Sequence, residues 1–232
     1  MTLLGHDEAW AEWRAALASD RMHHAWILAG PRGVGKGLFA RAAAAELVAE
    51  PGVPQPPVGH HPDILIPEHP PENKEEEKKR ADGQDDIRRK RSIPIDEIRA
   101  VQQRLTTRPT LGARRAVIID PADDLEKGAV NALLKSLEEP PVGTYFLLVA
   151  HRPGRLLPTI RSRCRMLRFA PLPDAAVDAV LRGSVPEADD ASREAAIAAA
   201  QGSPGIALEF LDQDLGAILR AMQAIIARGD DD

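Results

Sequence analysis

Residues 30–37 read GPRGVGKG, and Gly30, Gly35 and Lys36 satisfy the spacing G-x-x-x-x-G-K. That spacing suits a phosphate. Glycines let backbone N–H groups wrap an anion, the N-terminus of a following helix adds a favourable dipole, and the lysine reaches the terminal phosphates. The next residue in such loops is Ser or Thr, whose hydroxyl ligates Mg²⁺; here it is Gly37. The same segment also reads as a tight glycine turn between a strand and a helix. An acid, Asp120, ends the apolar run AVIID (116–120). It suits a carboxylate holding Mg²⁺ through water, and equally an acid capping a strand end. Pro121 follows, where a hydrolase places a carboxylate to orient the attacking water. The candidate nucleotide site is therefore Gly30, Gly33, Gly35, Lys36 and Asp120, without a metal ligand in the loop itself.

Two further residue types invite chemistry. Arg155, Arg161, Arg163, Arg165 and Arg168 lie close together. Guanidinium is permanently charged, planar and multidentate, which suits phosphoryl oxygens, although a run of charge by itself reads as a solvated surface. The single cysteine, Cys164, excludes an intrachain disulfide and a multi-cysteine zinc site. No motif supplies the base that a nucleophilic cysteine needs, so Cys164 reads as a small buried residue.

These residues need strands and helices to place them. AWILA (25–29), DILIP (63–67), AVIID (116–120), YFLLVA (145–150) and RMLRF (165–169) read as buried strands. Helices are expected over 6–19, 38–50, 95–105 and 125–139, with a short one in LLPTIRSRC (156–164). Apolar strands alternating with helices imply a parallel sheet covered on both faces, an α/β fold. Residues 72–91 hold seven acids and eight bases, with little to bury, and read as a mobile solvated loop; its basic half, Arg88–Arg91, can touch phosphate. After PLP (171–173) only helices are expected, over 174–183, 190–201 and 204–211, then a last one over 214–227.

Bulk properties allow one large domain, or one domain plus a small helical one. The chain has 232 residues, 44% apolar and 3% aromatic, with net charge −5. The acidic balance argues against broad non-specific DNA coating, and the few aromatics argue against base-stacking platforms. No apolar run long enough for a membrane span occurs, and a cytoplasmic location is expected.

GPRGVGK, LEKGAVNALLKSLEEPP (125–141) and FLLVAHRPGRLLPTIRSRC (146–164) together resemble the clamp-loader branch of the AAA+ ATPases, most of all the delta-prime subunits of bacterial DNA polymerase III. The resemblance covers residues 1 to about 212. It implies a P-loop AAA+ core over 1–170, with a parallel five-stranded sheet and a flexible charged loop over about 68–91. A three-helix lid over 171–212 and a linker or truncated collar domain over 213–232 follow. It also implies that Arg163, the arginine of the SRC element, reaches across a subunit interface to the ATP of a neighbouring motor subunit as an arginine finger.

Against the hydrolysing relatives this sequence departs at four points: Gly37, Pro121, Ala150–His151 at a sensor position, and Gly205 where a lid arginine stands. The resemblance thus implies a subunit that does not hydrolyse ATP, with gamma/tau-type motor subunits and a delta-type subunit as partners. The sliding clamp and primed DNA would be met through the assembled complex, and ATP, ADP or phosphate would bind weakly at most. The four cysteines that hold zinc in many relatives are missing, so no zinc is expected, and His60 and His61 read as surface loop residues. Two other readings stand beside this one: an active ATPase using Lys36 and Asp120, and a nucleotide- or DNA-binding module outside any ring.

Overall fold

The five apolar runs do form strands. In the computed structural model, which describes residues 3–19, 21–84 and 86–213, they are β1 (Ala25–Ala29), β2 (Ile64–Leu65), β3 (Arg115–Ile119), β4 (Thr144–Ala150) and β5 (Arg165–Arg168). They make one sheet in the order β2-β3-β4-β1-β5, and every pairing is parallel. β2 is shorter than the expected 63–67. Pro62 and Pro67 bracket it, and a proline has no N–H for a ladder.

Side chains of β1 alternate across the sheet, as a strand demands. Trp26 and Leu28 join one core with Trp13, Phe39 and Leu47. Ile27 joins the opposite core with Ile98, Val117, Leu133 and Leu148. The first core is covered by α1 (Asp7–Leu17) and α2 (Lys36–Val48), the second by α4 (Ile95–Leu105) and α5 (Lys127–Glu138). Helix α2 starts two residues before its expected position, capped by Gly35 at φ +101°, a left-handed conformation that favours glycine. After α6 (Pro158–Arg161), helices α7 (Asp174–Ser184), α8 (Asp190–Ala200) and α9 (Pro204–Asp212) enclose a third apolar cluster around Val177, Leu181, Ala196 and Phe210. The helix expected over 214–227, and residues 214–232 of the linker or collar, lie outside the described residues.

The charged segment departs from expectation. Within the stretch read as a mobile loop, Lys74–Ala81 forms a helix, α3. Asn73 caps it, accepting from the backbone N–H groups of Glu75 and Glu76, each at 3.0 Å. Glu75–Glu77 stand in its first turn and Lys78–Arg80 in its last, the arrangement that the helix dipole favours. The Glu76 carboxylate is buried; it accepts from Lys79 Nζ and from the backbone N–H of Arg88, both at 2.8 Å. Asn73 followed three residues later by Glu76 is a helix-start signal that a search for apolar burial alone passes over.

A phosphate loop clamped from outside and an arginine at the far end of the sheet

Residues 30–35 join the carboxyl end of β1 to the N-terminus of α2, the end of a parallel sheet where ligands gather. Five consecutive carbonyls of this turn are engaged. Lys36 Nζ donates to Gly30 O at 2.7 Å and Pro31 O at 2.5 Å. Ser203 Oγ donates to Arg32 O at 2.6 Å, the Gly205 N–H donates to Gly33 O at 2.8 Å, and His6 Nε2 lies 2.7 Å from Val34 O. An ion pair between Arg32 and Glu209 at 2.6 Å adds a further tie to α9. The first-turn amides of α2 have no acceptor within their own helix and are what the turn offers to an anion.

Beside the turn lies a cavity of about 340 Å³. Leu4, Leu172, Val180 and Pro204 give it an apolar wall; Lys36, Asp120 and His151 give it a polar end. The Lys36 ammonium is buried, and desolvation brings its pKa down to about 8 despite the carboxylates of Asp120 and Asp123. Burial also pushes the Asp120 carboxyl above its ordinary value, against the pull of Arg41, His151 and Lys36.

The position after the lysine faces the Asp120 carboxylate, which a side chain there would have to push aside. A Cβ placed on Gly37 would lie 2.3 Å from Asp120 Oδ2. Gly205 is similarly constrained: its Cβ would meet Gly33 Cα at 2.8 Å, so α9 docks on the phosphate turn backbone to backbone. Asp123, outside the candidate set, accepts from the backbone N–H groups of His151 at 2.6 Å and Arg152 at 2.9 Å and so fixes the turn after β4. Burial holds His151 below the usual imidazole range.

Arg163 is elsewhere. Arg165 pairs with Trp26 at the start of β1 and β5, whereas the phosphate turn follows the end of β1. Four residues of strand, about 13 Å, separate the two levels, and Arg163 lies beyond Arg165 on the side away from the turn. Its Nη1 donates to Thr159 O at 2.9 Å and Ser162 Oγ at 3.4 Å, and its Nη2 pairs with Glu138 Oε1 at 2.8 Å. Neighbouring Arg165 is committed to Glu12 at 2.9 Å and lies over the Trp26 ring. Cys164 is half-buried against the second core, and desolvation pushes its thiol up to about 12, a poor nucleophile.

One expectation is corrected here. His61 is buried, not a surface residue: its Nε2 lies 2.7 Å from Gln55 Oε1, and its Nδ1 accepts from the Asp63 N–H at 3.0 Å. His60 is exposed. Among the described residues no cluster of His, Cys, Asp or Glu is arranged to hold a metal ion, and no helix is long and apolar enough to cross a membrane.

A glycine-rich turn between β1 and α2 of a parallel five-stranded sheet, with helices on both faces and a helical cap, defines a P-loop α/β fold of the AAA+ type. Solved structures share it, two of them from Thermotoga maritima. A gamma subunit-related protein of DNA polymerase III from Thermotoga maritima has TM-score 0.54 and 24% identity, over 78% of this chain and 52% of that one. The RuvB Holliday junction branch migration motor of the same organism has TM-score 0.56 and 19% identity, over 94% and 64%. Within that class, residues 5–173 match the family described as DNA polymerase III, delta subunit, and the chain belongs to this family. It is 34% identical to the delta-prime subunit of Pseudomonas aeruginosa DNA polymerase III, over 83% of this chain and 58% of the relative. It is 31% identical to the gamma/tau subunit of Mycobacterium bovis, over 91% and 36%. The chain thus spans little more than half the length of the first relative and about a third of the second.

Proposed function

We propose that this chain is a clamp-loader subunit that does not hydrolyse ATP and that lends Arg163 to the ATP site of a neighbouring motor subunit. Its partners in this reading are gamma/tau-type motor subunits and a delta-type subunit, with the sliding clamp and primed DNA met through the assembled complex. One observation carries the proposal: Arg163 and the chain's own phosphate turn stand at opposite ends of the strands. An arginine so placed is out of reach of a phosphate in the chain's own turn, which is what the trans reading requires. Gly37 supports the non-hydrolysing half, because it carries no hydroxyl for Mg²⁺. Pro121 offers no carboxylate for water, and Gly205 carries no lid arginine.

The test is turnover with and without partners. The chain alone is expected to release no phosphate from ATP above background, while a loader rebuilt from full-length subunits turns over ATP in the presence of clamp and primed DNA. Steady hydrolysis by the chain alone, abolished by Lys36→Ala, would overturn the reading and favour an ATPase built on Lys36 and Asp120. The amphipathic cavity and Lys36 favour one second, narrower reading, in which a nucleotide is held there without being hydrolysed.

A further inference from the structure

The side chain that seats Arg163 is itself charged, and this has a consequence for any site the arginine serves. Arg163 is anchored by three groups. Thr159 O and Ser162 Oγ are neutral, and each belongs to the short segment that carries Arg163. Glu138 comes from the last turn of α5, more than twenty residues earlier, and pairs at 2.8 Å. That helix end is held in place by the sheet: His24 Nε2, next to β1, lies 3.0 Å from Leu137 O. The Arg163 and Glu138 side chains remain 34% and 49% exposed, so the pair is reachable from solvent.

Guanidinium offers five N–H donors. The two neutral acceptors can keep their share when a phosphate arrives. The carboxylate cannot stay without conflict, because it competes with phosphoryl oxygens for the same cation and repels them. We infer that Glu138 is a positioning residue: it holds Arg163 at its post in the absence of nucleotide, and a polyphosphate must displace it to engage the arginine. This rests on the finger reading above. The role is an exchange of anions, so its mark is a change in apparent nucleotide affinity rather than in stability.

The experiment uses a loader assembled from full-length subunits, with KM for ATP and kcat measured for the wild type, Glu138→Gln, Arg163→Ala and the double variant. Glu138→Gln keeps a hydrogen-bond acceptor and removes the charge. An exposed ion pair is a weak competitor, so the expected change is a KM for ATP about threefold lower, with kcat moving less than that. Adding Glu138→Gln to Arg163→Ala is expected to change nothing further. Matching melting curves and assembly profiles establish that the variants are folded and incorporated. An unchanged or raised KM overturns the inference, as does a KM shift that persists without Arg163. Should Arg163→Ala itself have no effect, both readings fall; should only Glu138→Gln be silent, the finger survives and Glu138 is no more than a surface partner.

Discussion

At the scale of single residues, the candidate site is defined by what its neighbours exclude. Gly37 is helical, and at such a position Gly→Ala ordinarily stabilises by about 1 kcal/mol. Here the added Cβ meets the movable end of the Asp120 side chain, which must turn aside, so Gly37→Ala is expected to gain less than that. In an Asp120→Ala background the full gain should return, as read by urea unfolding of the four variants. Asp120 makes a second prediction. Its carboxyl is raised by burial, so the folded chain binds a proton more readily than the unfolded one. Stability from this group therefore falls as pH rises above the ordinary carboxylate value. Asp120→Asn should raise the melting temperature at pH 7, and the gain should shrink towards pH 4. The motif residues Gly30, Gly35 and Lys36 were legible in the sequence because their spacing is short and local, and Asp120 because it ends an apolar run. The contact between Gly37 and Asp120 was not, since 83 positions separate them and only the sheet order brings them together.

At the scale of elements, the apolar runs announced the sheet and the charge runs misled. The strands and the α2, α4 and α5 helices follow from patterns of period two and 3.6. Helix α3 was hidden because it rests on a cap, dipole-matched charges and one buried carboxylate. Asp63 was hidden for a related reason. It read as the first residue of a strand, yet it is fully buried and accepts from the backbone N–H groups of Thr110 and Leu111, both at 2.7 Å. It also faces buried Arg115 at 3.4 Å. Arg115 in turn donates to the carbonyls of Arg104, Thr107 and Arg108 at 2.7–3.0 Å. This network ties the end of α4 to β2 and β3, and nothing in a one-dimensional pattern pairs residues 63 and 115. Asp63→Ala leaves a buried guanidinium without its counter-charge and is expected to cost about 3–5 kcal/mol. The check is the urea midpoint at an unchanged slope; a loss below 1 kcal/mol would mean that the backbone carbonyls alone satisfy Arg115.

At the scale of the whole molecule, the two ends of one sheet place two different groups. The carboxyl end presents a phosphate turn that its own lysine, the N-terminal segment and α9 hold in one shape. The amino end presents Arg163 on a short, anchored segment. That division suits a subunit whose contribution lies in geometry, fixing a cation where a partner's nucleotide arrives, since a preorganised donor spends little entropy when charge develops on the phosphate. The most direct test is ATP hydrolysis by a loader of full-length subunits, stimulated by clamp and primed DNA, comparing the wild type with Arg163→Ala after confirming equal assembly. A loss of at least about tenfold, the lower range for a phosphate-stabilising arginine, is the expected result. An unchanged rate in a fully assembled complex would contradict the trans role of Arg163.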